Sequence, residues 1–337
     1  MDAPAHPDPG SGGRRRTVAV IGAGIAGLSC TRRLRERGHQ VTLFDKARAP
    51  AGRAATRRGD SWACDHGAQY FTARSAEFAA AVAQWCEAGV CRPWSPRLQV
   101  FGAEGRAPGP SHAPQRYVGV PGMSALGRWL AEGLELRLQH TVVELRRADA
   151  GWTVRSAEHG APAQVFDSVL LTLPPAQARA LLLAHDAELA RATEPDPMEP
   201  CWCVIAVYDT DPLPALDAAF VNQGPLSWIC ADHRKPGRGG RPCWVLHAQP
   251  QWSRAWLDAS PETVTAAMLQ GFAELGARGA PTHVSAHRWR YARGARAAAP
   301  AMHWRAETGL GLAGDWLGGG RIEGAWCSGR ALADALG

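Results

Sequence analysis

TVAVIGAGIAGLSCTRRLRERGHQVTLFDK, residues 17–46, is the most informative stretch of the chain. Residues 17–21 are a short, largely β-branched apolar run, the pattern of a buried parallel strand. Gly22, Gly24 and Gly27 follow at G-x-G-x-x-G spacing, with Ala23, Ile25 and Ala26 between them. Residues 28–37 read as a helix stopped by Gly38, and 41–44 as a second strand with Asp45 at its carboxyl end, 18 residues past Gly27. Each part has a physical task. Gly22 permits a tight turn, Gly24 lets a pyrophosphate approach the backbone, and Gly27 lets helix and strand pack closely. The helix start offers free N–H groups and a positive dipole end to phosphate. Asp45 can accept hydrogen bonds from a ribose diol. An ordinary Gly-rich turn needs none of this context, so the stretch reads as a dinucleotide site, for NAD or for FAD.

Working outward, 337 residues suggest roughly two domains. No run approaches the ~20 uncharged apolar residues of a membrane helix, so no membrane span is expected. The net charge is +6, but only Lys46 and Lys235 are lysines, and the arginines are scattered rather than gathered in one stripe. That balance argues weakly for nucleic acid and suits anionic small molecules equally well. The segment HRWRYAR, residues 287–293, interleaves basic and aromatic residues as a single-strand binder does, but one short strand turns half its side chains inward. No nucleic-acid partner is expected. The nine cysteines show no paired framework and no CxxC, so they read as reduced and structural, in a cytoplasmic protein. Residues 1–13, rich in Pro, Gly and Asp, read as a disordered extension.

After Asp45 and Lys46, Gly52 and Arg53 stand where an arginine can neutralise phosphate, with Arg57 as a second candidate. Next, the polar segment His66, Gly67, Ala68, Gln69, ending in Tyr70 and Phe71, suits the wall of a flat ring system. Residues 75–88 read as a helix capped by Ser75, and Ser124 starts another. Residues 134–138, 141–147, 152–156 and 165–173 read as strands returning to the nucleotide domain, with Val142 placed against an adenine. Residues 201–208, 226–231, 243–248 and 283–291 read as strands of a second sheet, and 260–275 as an amphipathic helix. Near the end of the sequence a strand closes on Gly314 and Asp315, and Arg321, Ile322, Glu323, Gly324 and Ala325 open a final helix. That makes a second anion and polyol site. Two such sites far apart in sequence suggest one long dinucleotide with a polyol between its halves, which is FAD.

The assembled residues resemble the renalase family, within the FAD-dependent amine-oxidase superfamily. The resemblance runs over residues 17–336 and rests on several motifs. These are FDK (44–46) with Gly52-Arg53 and TRR (56–58), DHGAQYFT (65–72), VPGMS (120–124) and PCW (200–202). KPGR (235–238), WVLH (244–247) with Trp252-Ser253, WRYA (289–292), GDW (314–316) and RIEGAW (321–326) complete the set. The departures are the N-terminal extension, Ala51 in place of a glycine in the phosphate turn, and the Ala/Arg-rich segment 294–301.

The resemblance implies an α/β fold: a Rossmann-type FAD domain of the p-hydroxybenzoate hydroxylase and amine-oxidase kind, beside an α+β substrate domain on a mainly antiparallel sheet. Residues 14–74, 116–175 and 302–337 would form the FAD domain, and 75–115 with 176–301 the substrate domain. It also implies non-covalent FAD. Gly22 to Gly27, Asp45, Lys46, Arg53, Val142, Gly314, Asp315 and Arg321 would hold that cofactor, with His66 to Gln69 and Ile322 to Ala325 near its ring. His247, Tyr70, Trp228, Trp289 and Tyr291 would form the substrate face. The implied activity is oxidation of 2- and 6-dihydro-NAD(P) isomers to NAD(P)+, with O2 as electron acceptor and hydrogen peroxide as product. A hydride leaving a dihydropyridine needs no obligatory acid or base, so no catalytic triad is expected. A flavin amine oxidase acting on a small amine, and a flavoprotein without catalysis, are the other two readings.

Overall fold

The computed structural model describes residues 14–102, 105–109, 114–161, 164–194, 198–294 and 300–337. The expected disordered extension and the centre of the 294–301 segment lie outside the described residues. Six strands form one sheet in the order Met302–Arg305, Leu310–Ala313, Ser168–Leu171, Thr17–Ile21, Gln40–Asp45 and Glu135–Leu138. All neighbours are parallel except Met302–Arg305, which pairs antiparallel at the edge. Ile21 lies level with both Phe44 and Leu171, so the carboxyl ends of the central strands open along one edge. In open parallel sheets that edge is where ligands bind.

The helix Ile25–Glu36 crosses over from the first strand and packs against Ile322–Leu336. Gly27 is obligatory here: a Cβ would stand 1.9 Å from the Gly22 carbonyl oxygen. The helices Ala76–Glu87 and Pro261–Glu274 start where their serines predict. Ser75 accepts the Phe78 N–H, and Ser260 accepts the Thr263 N–H.

The second sheet has seven strands, in the order His283–Arg293, Glu199–Val207, Cys243–Ala248, Leu226–Ala231, Ala218–Val221, Leu98–Gly102 and Gly105–Pro108. It is antiparallel except between Ala218–Val221 and Leu98–Gly102. Pro261–Glu274 covers one face, where Phe272 meets Trp244 at 5.0 Å between ring centroids.

The structure adds two ribbons and corrects one expectation, that of the cysteines. The strands read as returning to the nucleotide domain at 141–147 and 152–156 pair with each other, Val142–Ala148 with Gly151–Ser156, in an antiparallel ribbon whose Leu145, Trp152 and Val154 pack in one cluster with Ile21 and Phe44 of the parallel sheet. Alternation identifies a strand but not its partner. A second small ribbon, Thr56–Gly59 with Trp62–Asp65, escapes sequence reading because TRRG has no apolar alternation. The nine cysteines are not all reduced. Cys64 and Cys243, both buried, form a disulfide with Cα atoms 6.5 Å apart and a sequence separation of 179. Spacing cannot show a pair that only the packing of ribbon on sheet brings together, and cysteine usage now says nothing of compartment. The other seven are free, and burial pushes the Cys201 and Cys230 thiols up to about 12. Among the described residues no helix is long and apolar enough to cross a membrane.

Candidate active site

A cavity of about 1870 Å³ opens between the carboxyl edge of the parallel sheet and one face of the antiparallel sheet. Of the residues singled out from sequence, the cavity collects Gly22, Gly24, Ile25, Ala26, Asp45, Lys46, Arg53, His66 to Gln69, Val142, Gly314, Asp315, Arg321, Ile322 and Ala325. Tyr70, Trp228, His247, Trp289 and Tyr291 line it too. Four others do not. Gly27 packs on the turn, Ala23 is buried behind it, and Gly324 lies against Gly318. The Glu323 carboxylate points elsewhere: its Oε1 accepts the Ser75 N–H at 2.7 Å and the Arg74 N–H at 3.2 Å. It thereby ties the last helix to the start of Ala76–Glu87.

At the dinucleotide end, the Ala23 N–H donates to Asp45 Oδ2 at 2.5 Å and the Ala47 N–H to Oδ1 at 2.7 Å. These bonds fix the carboxylate at the cavity edge and leave each oxygen a further lone pair. Gly22 takes φ +111°, while a Cβ on Gly24 would meet nothing within 4 Å. Gly24 therefore keeps open a space beside the helix start, the cradle a pyrophosphate needs. Ala51, the departure from glycine, also takes φ +111° and is buried against Gly127 of the helix Ser124–Ala131. The turn keeps a glycine-like backbone while carrying a methyl group. Arg53 forks onto Asp315, with one bond of 2.9 Å to Oδ2 and a shorter one to Oδ1, and donates to the Ala292 carbonyl at 3.0 Å. The expected phosphate and polyol residues thus clasp one another across the cavity.

At the other end the segment 66–69 is held by groups expected to face substrate. His247 Nε2 lies 3.2 Å from the His66 carbonyl oxygen, and the Trp289 indole N–H donates to the same oxygen at 2.9 Å. Trp289 stacks on the His66 ring at 5.1 Å. Burial pushes His247 down to about 4 and His66 down to about 3, the latter helped by the nearby His287, so both imidazoles are neutral near pH 7. Tyr70 and Trp228 meet at 5.6 Å and Phe220 packs on Trp228 at 5.0 Å, making an aromatic chamber.

Sequence reasoning missed what lies beneath this segment. Asp65, Asp232, Lys235 and Arg238 form a buried quartet of two carboxyl and two basic groups, in which burial and the neighbouring Asp65 push the Asp232 carboxyl up. Lys235 Nζ donates to Asp232 at 2.6 Å and reaches Gln69 Oε1 at 3.3 Å, while Arg238 donates to Asp65 at 2.5 Å. Burial pushes the Asp65 carboxyl up, but Lys235, Arg238 and hydrogen bonds from Thr56 and Met123 outweigh it and keep Asp65 ionised. The quoted KPGR motif held two of these residues. Nothing in its spacing told that they were buried.

The profile of the flavin containing amine oxidoreductase family matches residues 94–337, and that of the NAD(P)-binding Rossmann-like domain matches residues 20–85. The chain belongs to the flavin containing amine oxidoreductase family. Its fold resembles a chain assigned as a protoporphyrinogen oxidase from Exiguobacterium sp. 255-15, with TM-score 0.77, 16% identity, and 97% and 99% of the two chains covered. It also resembles cyclohexylamine oxidase from Brevibacterium oxydans IH-35A, with TM-score 0.75, 13% identity, and 96% and 98% covered. A 4,4'-diapophytoene desaturase from Staphylococcus haemolyticus is 42% identical over 50 residues, 15% of this chain and 10% of that protein. At these identities the solved structures speak for the fold alone. The chain is an FAD-dependent oxidoreductase whose cofactor is held non-covalently, and the open cradle at Gly24 fits that cofactor.

Proposed function

We propose that the protein oxidises 2- and 6-dihydro isomers of NAD(P)H to NAD(P)+, passing the electrons to O2 to give hydrogen peroxide. The observation that carries this reading is the charge of the cavity. Among the described residues lining it, twelve are arginine or lysine, and two, Asp45 and Asp315, are carboxylates. Asp315 is paired with Arg53, and one FAD brings only a single pyrophosphate. The remaining positive field, with Arg57, Arg58, Arg116 and Arg128 outside any ion pair among the described residues, favours a second anionic ligand. A phosphate-bearing nicotinamide isomer is such a ligand, whereas a cationic amine would be repelled.

The roles of the chain's own residues follow. When bound, FAD supplies hydride acceptance and dioxygen reduction. Gly24 and the start of Ile25–Glu36 hold its pyrophosphate, and Asp45 its adenosine ribose. His247 and Trp289 fix the segment 66–69 through one carbonyl, and Gln69 is fixed in turn by Lys235. The chamber of Tyr70, Trp228 and Phe220 orients a flat ring and keeps water away. His247 is a positioning residue here, its Nε2 holding the His66 carbonyl.

Oxygen uptake by the FAD-loaded protein tests the proposal. Turnover with 6-dihydro-NAD and none with putrescine or cyclohexylamine is expected; the reverse pattern would establish amine oxidation. The aromatic enclosure and the names of the structural relatives favour that second reading.

A further inference from the structure

The aromatic end of the cavity holds two donors with nothing to donate to. Trp228 is 6% exposed, and its indole N–H is buried without a hydrogen-bond partner. Arg116, at the start of Arg116–Gly119, places its guanidinium carbon 5.3 Å from the Tyr70 ring centroid. Its Nε is likewise buried and unpartnered, and among the described residues no carboxylate pairs with it. Tyr70 packs with both, 5.6 Å from Trp228, and all three residues line the cavity.

Leaving a buried donor unsatisfied is costly, so two of them around one ring point to a ligand that supplies acceptors. An indole N–H and a guanidinium only donate. A cationic group would find the face of Tyr70 already covered by Arg116. A guanidinium fork matches a phosphate in shape and charge, while a single indole N–H suits a carbonyl oxygen. Phosphate at Arg116 and carbonyl at Trp228 would let one ligand satisfy both donors, reaching past the Tyr70 ring.

We propose that Arg116 is a specificity-determining residue that binds a phosphate of the substrate, while Trp228 donates to a carbonyl on its ring. This rests on the dihydronicotinamide reading and narrows it: the substrate is selected as a phosphorylated nucleoside.

The test compares oxidation of 6-dihydronicotinamide riboside and its 5′-monophosphate by the FAD-loaded, full-length protein. Wild type should show kcat/KM at least tenfold higher for the monophosphate, with the difference carried by KM. Arg116→Met should bring that ratio close to one, and Arg116→Lys should restore part of it. A wild-type ratio near one, or an undiminished ratio in Arg116→Met, would overturn the proposal. If neither compound reduces the flavin, the dihydronicotinamide reading fails, and calorimetric titration with inorganic phosphate judges the subsite alone. Phosphate binding lost in Arg116→Met and partly kept in Arg116→Lys would support it. Equal or absent binding in wild type and variants would remove it.

Discussion

Gly24 and Gly27 stand three residues apart in one motif and have opposite needs. Space around Gly24 is open, and its extended backbone, φ −75° and ψ 179°, suits any residue. Gly24→Val should therefore leave the apo melting temperature within a degree or two while abolishing flavin retention on purification. Gly27→Ala would drive a methyl into the Gly22 carbonyl and should cost the fold about 1–3 kcal/mol, seen as a lower melting temperature without cofactor. Equal effects of the two on apo stability would contradict this division. The motif was legible in sequence because each glycine answers a backbone demand. Its hidden part is Ala51, whose departure from glycine was visible but whose retained φ of +111° was not. At the same scale, His66 and His247 titrate in the folded chain at about 3 and about 4, against about 6.5 when unfolded. An imidazole whose folded value is depressed binds protons better in the unfolded chain. The stability it contributes is complete above pH 6.5 and is lost as pH falls toward the folded values. Melting temperature should thus drop between pH 6.5 and 5, and His247→Gln should flatten that slope. A melting temperature unchanged over this window would refute the assignment.

Among the elements, the ribbon Thr56–Gly59 with Trp62–Asp65 joins three things the sequence presented separately. It carries Asp65 of the quartet, it is tied to Cys243–Ala248 through Cys64, and it leads directly into the segment 66–69. The long strands and capped helices were legible because apolar period and Ser caps are local signals. Pairings such as Cys64 with Cys243, or Asp65 with Lys235 at 170 residues' separation, depend on tertiary packing and leave no local trace. A buried quartet is strongly destabilised by losing one member, since its partner charge is left uncompensated. Lys235→Met should lower the free energy of unfolding by about 3–5 kcal/mol, read from the urea midpoint at unchanged slope. A loss below about 1 kcal/mol would mean that the quartet is not dry.

For the whole molecule, two sheets bring residues from the beginning, middle and end of the chain around one cavity. Nearly all the residues singled out for phosphate and ribose line one half of that cavity, since glycines and strand-end acids mark such positions in sequence. The residues expected to face substrate line the other half, but their contacts were not legible. His247 and Trp289 turned out to clamp the His66 carbonyl, and Arg116 was absent from the expected set. On the function proposed above, this strongly basic cavity, once loaded with FAD, takes a hydride from a dihydronicotinamide isomer. Anaerobic mixing of the yellow protein with 6-dihydro-NAD, followed by flavin absorbance, tests it most directly. Rapid bleaching, with formation of NAD+ and return of colour on admitting air, is expected. An unbleached flavin that is instead reduced by a primary amine would contradict it.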